Sequence, residues 1–227
     1  TDLQPFQAAF KLLRELVEDG GAQEDSVMLA MSARPDDVVA LLDLMRDTLG
    51  EDDPLRPLLD FERVACTGHS FGAFTSLVAA TIDPRIDVVV AQTPTSHEVV
   101  QLQSAVTMAE MPRPVLVQSA GLDRTLPEDT NARSLVEQLP AGATWWLSLH
   151  DAGHFTYSDL CVLDVAAIDA ALEIDASNVL TDGCGAESLA TDLAFPAIRQ
   201  SAIGFLNLQL RGSSGSAVTR PQRKRRV

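Results

Sequence analysis

RVACTGHSFGAFTSLVAAT, residues 63–81, decides the fold. A run of small and β-branched residues, VACTG, meets Gly68-His69-Ser70-Phe71-Gly72, and an alanine-rich, helix-prone run follows at once. This order predicts a strand, a sharp turn and a helix, with Ser70 on the turn. A serine there stands clear of the sheet, and side chains in place of the two glycines would collide where strand and helix cross. Backbone N–H groups at the helix start would face any negative charge developing beside the Ser70 hydroxyl. With glycine near 7% of residues, G-x-S-x-G arises by chance in about one chain in ten of this length. The context of the pattern therefore carries the weight. The competing reading is a helix N-cap serine in a tight turn.

Working outward, three more apolar runs of strand character follow: RIDVVVAQTP, ending at Pro94; RPVLVQSAG, ending at Gly121; and ATWWLSLHDAG. Helix-like stretches separate them, the clearest being TNARSLVEQL. Continuous apolar strands alternating with helices predict a parallel sheet buried on both faces, hence an α/β fold. Trp145 and Trp146, in the fourth run, are expected in the core. Upstream, residues 5–18 carry apolar residues at helical spacing, and RPDDVVALLDLMRDTLG predicts a second helix with Pro35 in its first turn and Gly50 as its stop. A last helical pattern covers about residues 189–210, interrupted by Pro196.

The chain has 227 residues, 46% of them hydrophobic, enough for one domain over residues 1–210. Residues 211–227, RGSSGSAVTRPQRKRRV, read as a flexible basic tail. A net charge of −15 argues against binding a nucleic-acid backbone, and no apolar run is long enough to span a membrane. Cys66 reads as a small buried hydrophobe. Cys161 and Cys184 do not fit a zinc site, which leaves a disulfide or two free thiols. A disulfide would indicate an oxidising compartment, free thiols a cytoplasmic one.

In parallel sheets function collects at the carboxyl ends of the strands. Those ends carry Ser70, then Thr93 to His97, then Asp123 in GLDR, then His150 and His154 in HDAGH. A serine, an acid and a histidine in this order predict nucleophilic catalysis: Ser70 as nucleophile, His154 as base, Asp123 orienting the base. Asp83, Asp87 and Asp129 read as caps or surface charges, and His150 as a packed histidine. His69 is expected to be structural and to point away from Ser70. His97, Phe155 and Tyr157 are candidates for the substrate pocket. The four histidines show no metal-ligand spacing, so no metal is expected.

The order Ser, Asp, His with this elbow resembles the α/β-hydrolase fold. SARPDDVVALLDLM, GHSFGAFTSL, GLDRTLP and AGHFTYSDLC…DGCG are similar to the dienelactone-hydrolase-like and platelet-activating-factor-acetylhydrolase-like esterases of bacteria, over most of residues 30–210. The resemblance implies hydrolysis of carboxylic esters, of short-chain or lipid-like acyl groups, through an acyl-enzyme and without a cofactor. It implies the Phe71 N–H as one oxyanion donor, a Cys161–Cys184 disulfide and a secreted or periplasmic location. Two alternatives stand beside it: a serine peptidase or amidase on the same fold, and a non-catalytic hydrolase fragment that needs a partner segment. The second arises because the strands that precede the elbow in this fold have no counterpart in residues 1–60. The elbow strand is then expected at a sheet edge, which a missing N-terminal segment or a homo-oligomer would cover.

Overall fold

A computed structural model describes residues 24–50, 52–163 and 180–212. The expected helix over residues 5–18 and the basic tail from residue 213 onward lie outside these. Four parallel strands form one sheet in the order β1 (Val64–His69), β2 (Ile86–Gln92), β3 (Val115–Ala120) and β4 (Thr144–Leu149). Around it lie α1 (Glu24–Thr48), α2 (Phe71–Ile82), α3 (His97–Gln101), α4 (Ala132–Gln138) and α5 (Thr191–Arg211). The architecture is α/β; β2, β3 and β4 fall within the apolar runs read from the sequence, and β1 extends one residue past VACTG, to His69.

Consecutive strands lie side by side, so right-handed crossovers put their helices on the same face. On that face Phe74, Leu77 and Val78 of α2 pack with Val89 and Ala91 of β2, Val115 and Val117 of β3, and Leu135 of α4. Val38 and Leu42 of α1 pack against this cluster. The chain then returns under the other face as α5, where Phe205 meets Val88, Val90, Leu116 and Trp145. Alternate β2 residues thus enter opposite cores, which is why its sequence is apolar without a break. Full burial of each large apolar side chain contributes roughly 1.5–3 kcal/mol. Trp145 is core, as expected; Trp146 is partly buried against the first cluster and lies under the Arg133 guanidinium, 4.9 Å from its ring. Cys66 is a free thiol, partly buried on the same face, and burial pushes its pKa up.

Two helix readings need correction. Pro35 does not open α1, which starts at Glu24 and runs through it. The residues before Pro35 are strong helix formers, and they extend the helix backward despite the hydrogen bond that proline removes. Pro196 likewise lies inside α5 without ending it. It is the sixth residue of the helix, so it leaves one carbonyl in the first turn without its intrahelical donor, and the helix continues past it to Arg211.

Among the described residues β1 pairs only with β2, so the elbow strand lies at the sheet edge, with Ala65 and Thr67 exposed. No helix among them is long and apolar enough to cross a membrane.

Candidate active site

β1 ends at His69, and the chain turns through Ser70 into α2. Ser70 has φ 56° and ψ −117°, outside the regions that side chains favour. The turn is held by the Ser70 N–H, which donates to the Gln92 carbonyl at 2.9 Å, and by the Ser70 carbonyl, which accepts from Ala73 and Phe74. A Cβ at Gly68 would lie 2.2 Å from the backbone carbon of Gly72. At Gly72 itself a Cβ would meet nothing within 4 Å, so the collision argument applies to the first glycine only. The Ser70 side chain makes no capping hydrogen bond, which leaves the N-cap reading without its defining contact. Phe71 opens α2, where the first N–H groups have no partner within the helix. Its ring stacks on Phe74 with centroids 5.8 Å apart.

Asp123 leaves β3 in a tight loop and is 7% exposed. Its Oδ1 accepts the Leu126 N–H at 2.6 Å, and its Oδ2 accepts from His154 Nδ1 at 2.8 Å. His154 is 2% exposed, on a short 3-10 turn (His154–Tyr157) beyond β4. A carboxylate oxygen accepts, so the bond to Asp123 is donated by an N–H at His154 Nδ1.

His69 does more than its sequence position suggests. Its Nε2 donates to the main-chain oxygen of His154 at 2.9 Å, and the two rings stand 4.8 Å apart. Burial, with the His154 charge second, lowers the His69 pKa to about 4, so its imidazole is neutral near pH 7. Phe155 stands edge-on to the His154 ring at 5.2 Å and 6.4 Å from that of His69, so it stays beside the site.

The other pocket candidates fare differently. Tyr157 is a core residue: it packs with Ala120, Ala152, Ala194 and Ile198, and its hydroxyl donates to the Ser119 carbonyl at 2.7 Å. Burial, then the Glu128 charge, pushes its phenol pKa up. His97 is bound to Ser134 Oγ at 2.8 Å, with Glu98 Oε2 at 3.2 Å, and neither contact reaches Asp123 or His154. His150 is exposed on the turn after β4 rather than packed. Asp83 is buried against Arg85, Asp87 accepts the Val64 N–H, and Asp129 pairs with Arg133.

Cys161 and Cys184 form a disulfide. It ties the segment after His154 to an irregular turn, Leu180–Cys184, in which Asp182 is 4% exposed. The Asp182 carboxylate accepts N–H donors from Arg124, Thr125 and His154. The sequence reading does not single out Asp182; an acidic residue and a glycine directly before a paired cysteine are its only local signal.

No protein-family model matches the chain, and no curated protein matches it. Among solved structures it is similar to a ferulic acid esterase from Streptomyces cinnamoneus, with a TM-score of 0.66 and 23% sequence identity. The match covers 92% of this chain and 56% of that one. The chain thus shares the parallel α/β fold of that esterase and spans little more than half its length.

Proposed function

We propose that this protein is a serine hydrolase of carboxylic esters, with Ser70 as nucleophile, His154 as base and Asp123 orienting the base. The observation that carries the reading is the buried 2.8 Å bond between His154 Nδ1 and Asp123 Oδ2, next to a strained serine elbow. A bare serine hydroxyl is a weak nucleophile, and an oriented neutral imidazole activates it.

In the reaction, His154 Nε2 takes the Ser70 proton as Oγ bonds to the ester carbonyl carbon. Asp123 stabilises the imidazolium that results. The oxyanion rests on the Phe71 N–H and a second donor. His154 then protonates the departing alcohol as its C–O bond breaks, leaving an acyl-serine, and water repeats the sequence to release the acid. Phe155 is the pocket residue that fits this reading best. The likeness to a ferulic acid esterase adds aromatic acyl esters to the short-chain and lipid-like esters of the dienelactone-hydrolase-like and acetylhydrolase-like families. The disulfide favours an oxidising compartment, secreted or periplasmic.

Labelling with a fluorophosphonate, mapped by mass spectrometry, tests this. Label is expected on Ser70 and lost in Ser70→Ala and His154→Ala, together with ester hydrolysis. Hydrolysis that persists in folded Ser70→Ala overturns it. Faster turnover of amides than of matched esters points instead to a peptidase or amidase.

The edge position of β1 favours a second reading, a hydrolase fragment that acts only with a partner segment or a second copy. Label on Ser70 in a monomeric sample excludes it.

A further inference from the structure

Asp182 stands between the two loops that carry the proposed acid and base. Its Oδ1 accepts the His154 N–H at 3.0 Å and the Arg124 N–H at 3.1 Å. Its Oδ2 accepts the Thr125 N–H at 2.9 Å and the Thr125 hydroxyl at 2.8 Å. Arg124 and Thr125 directly follow Asp123, so one carboxylate holds the backbone of His154 and of the two residues after Asp123, and the Asp123 and His154 side chains meet at 2.8 Å. Bonds to an ionised acceptor are about twice as strong as neutral ones, and a carboxylate presents acceptors only, as these donors require.

The turn that presents Asp182 is closely fitted. Gly183, at φ 129°, lies where a Cβ would come within 2.6 Å of the Thr156 backbone nitrogen. A Cβ at Gly153 would come within 2.5 Å of the Asp182 backbone carbon. Cys184, two residues after Asp182, is bonded to Cys161, so the turn is anchored covalently beyond the base.

We propose that Asp182 is a positioning residue that sets the separation and orientation of the Asp123 and His154 loops. The inference rests on the Ser70, His154 and Asp123 reading above. Asp182 itself touches neither the nucleophile nor the reacting carbonyl; it acts through His154 and Asp123. Misplacement of a catalytic group by about 1 Å lowers rates on the order of 100-fold, so two independently drifting loops would slow acylation far more than binding.

The test is Asp182→Asn, which keeps the shape and sets an amide NH2 against one of the two donor groups. In the folded variant the Ser70 labelling rate and kcat are expected to fall about 10- to 100-fold. KM should stay within about twofold, as for a group acting only on orientation. The low-field proton resonance of His154 Nδ1 should broaden or vanish. A labelling rate within about twofold of the parent, with that resonance intact, overturns the proposal. Should Asp182→Asn not fold, Thr125→Val decides. It removes one donor, and a fall of roughly three- to tenfold is expected, with an unchanged rate overturning the proposal. If the parent takes no label, the functional reading fails. The Nδ1 resonance, compared between parent and variant, then still decides the role of Asp182.

Discussion

His69 Nε2 donates to the main-chain oxygen of His154 across 2.9 Å, joining the end of β1 to the turn after β4 although β1 and β4 are the outermost strands among the described residues. The residue before the proposed nucleophile thereby holds the loop of the proposed base, and it does so as a neutral imidazole.

That neutrality makes stability depend on pH. The His69 pKa is about 4 in the folded chain and 6.5 as the unperturbed value. As pH falls below about 6.5 the unfolded chain takes up the proton first. This contribution is therefore fully present above pH 6.5 and is lost as pH falls toward 4, by on the order of 3 kcal/mol at most. Urea midpoints between pH 7 and 4 are expected to fall more steeply for the parent than for His69→Gln. Parallel curves would show that His69 is not held neutral.

The two elbow glycines are expected to respond in opposite ways. Gly68→Ala forces a methyl within 2.2 Å of the Gly72 backbone, where no side chain can yield. Overpacking of this kind costs roughly 1–3 kcal/mol or more. Gly72→Ala meets open space in the first turn of α2, and alanine is the better helix former by up to about 1 kcal/mol. Thermal midpoints of the two variants, measured side by side, should lie on opposite sides of the parent.

Ser70 at φ 56° carries strain that glycine would relieve and alanine would not. Ser70→Gly is expected to unfold at a higher temperature than Ser70→Ala, by the equivalent of about 1 kcal/mol, with both inactive. Equal midpoints would mean that the elbow is relaxed in solution.

The disulfide closes a loop between cysteines 23 residues apart. Chain-entropy reasoning assigns it about 3 kcal/mol. Denaturant titrations with and without dithiothreitol should differ by that order. If Asp182 positions the site, reduction should also slow Ser70 labelling under conditions in which the protein stays folded. An unaffected rate would confine the bridge to stability.

Residues 63–81 are legible from their order alone. Strand, turn and helix are local matters of small residues, glycine spacing and helix propensity, and the apolar runs of β2 and β3 read as the buried strands they are, while β4, at the far side of the sheet, buries only Trp145. Helix boundaries are less legible. Proline penalises a helix interior without forbidding it, and α1 runs through Pro35 because the residues before it, Met28 to Arg34, are mostly strong helix formers. Tyr157 departs from its expected place for a similar reason. Its position next to the His154 turn suggests the pocket, while its hydroxyl in fact finds the Ser119 carbonyl, 38 residues away in sequence.

The α/β class, the parallel order of the strands and the set of side chains that leave their carboxyl ends all follow from the amino-acid order, because periodicity and turn chemistry act over a few residues. How those ends are joined is settled by the folded chain alone. The grip of Asp182 on residues 57 and 58 positions away, and of His69 on a carbonyl 85 positions away, depends on loops meeting in space. No local pattern encodes such a meeting, since a buried carboxylate and a surface one look alike until the fold removes the water around one of them.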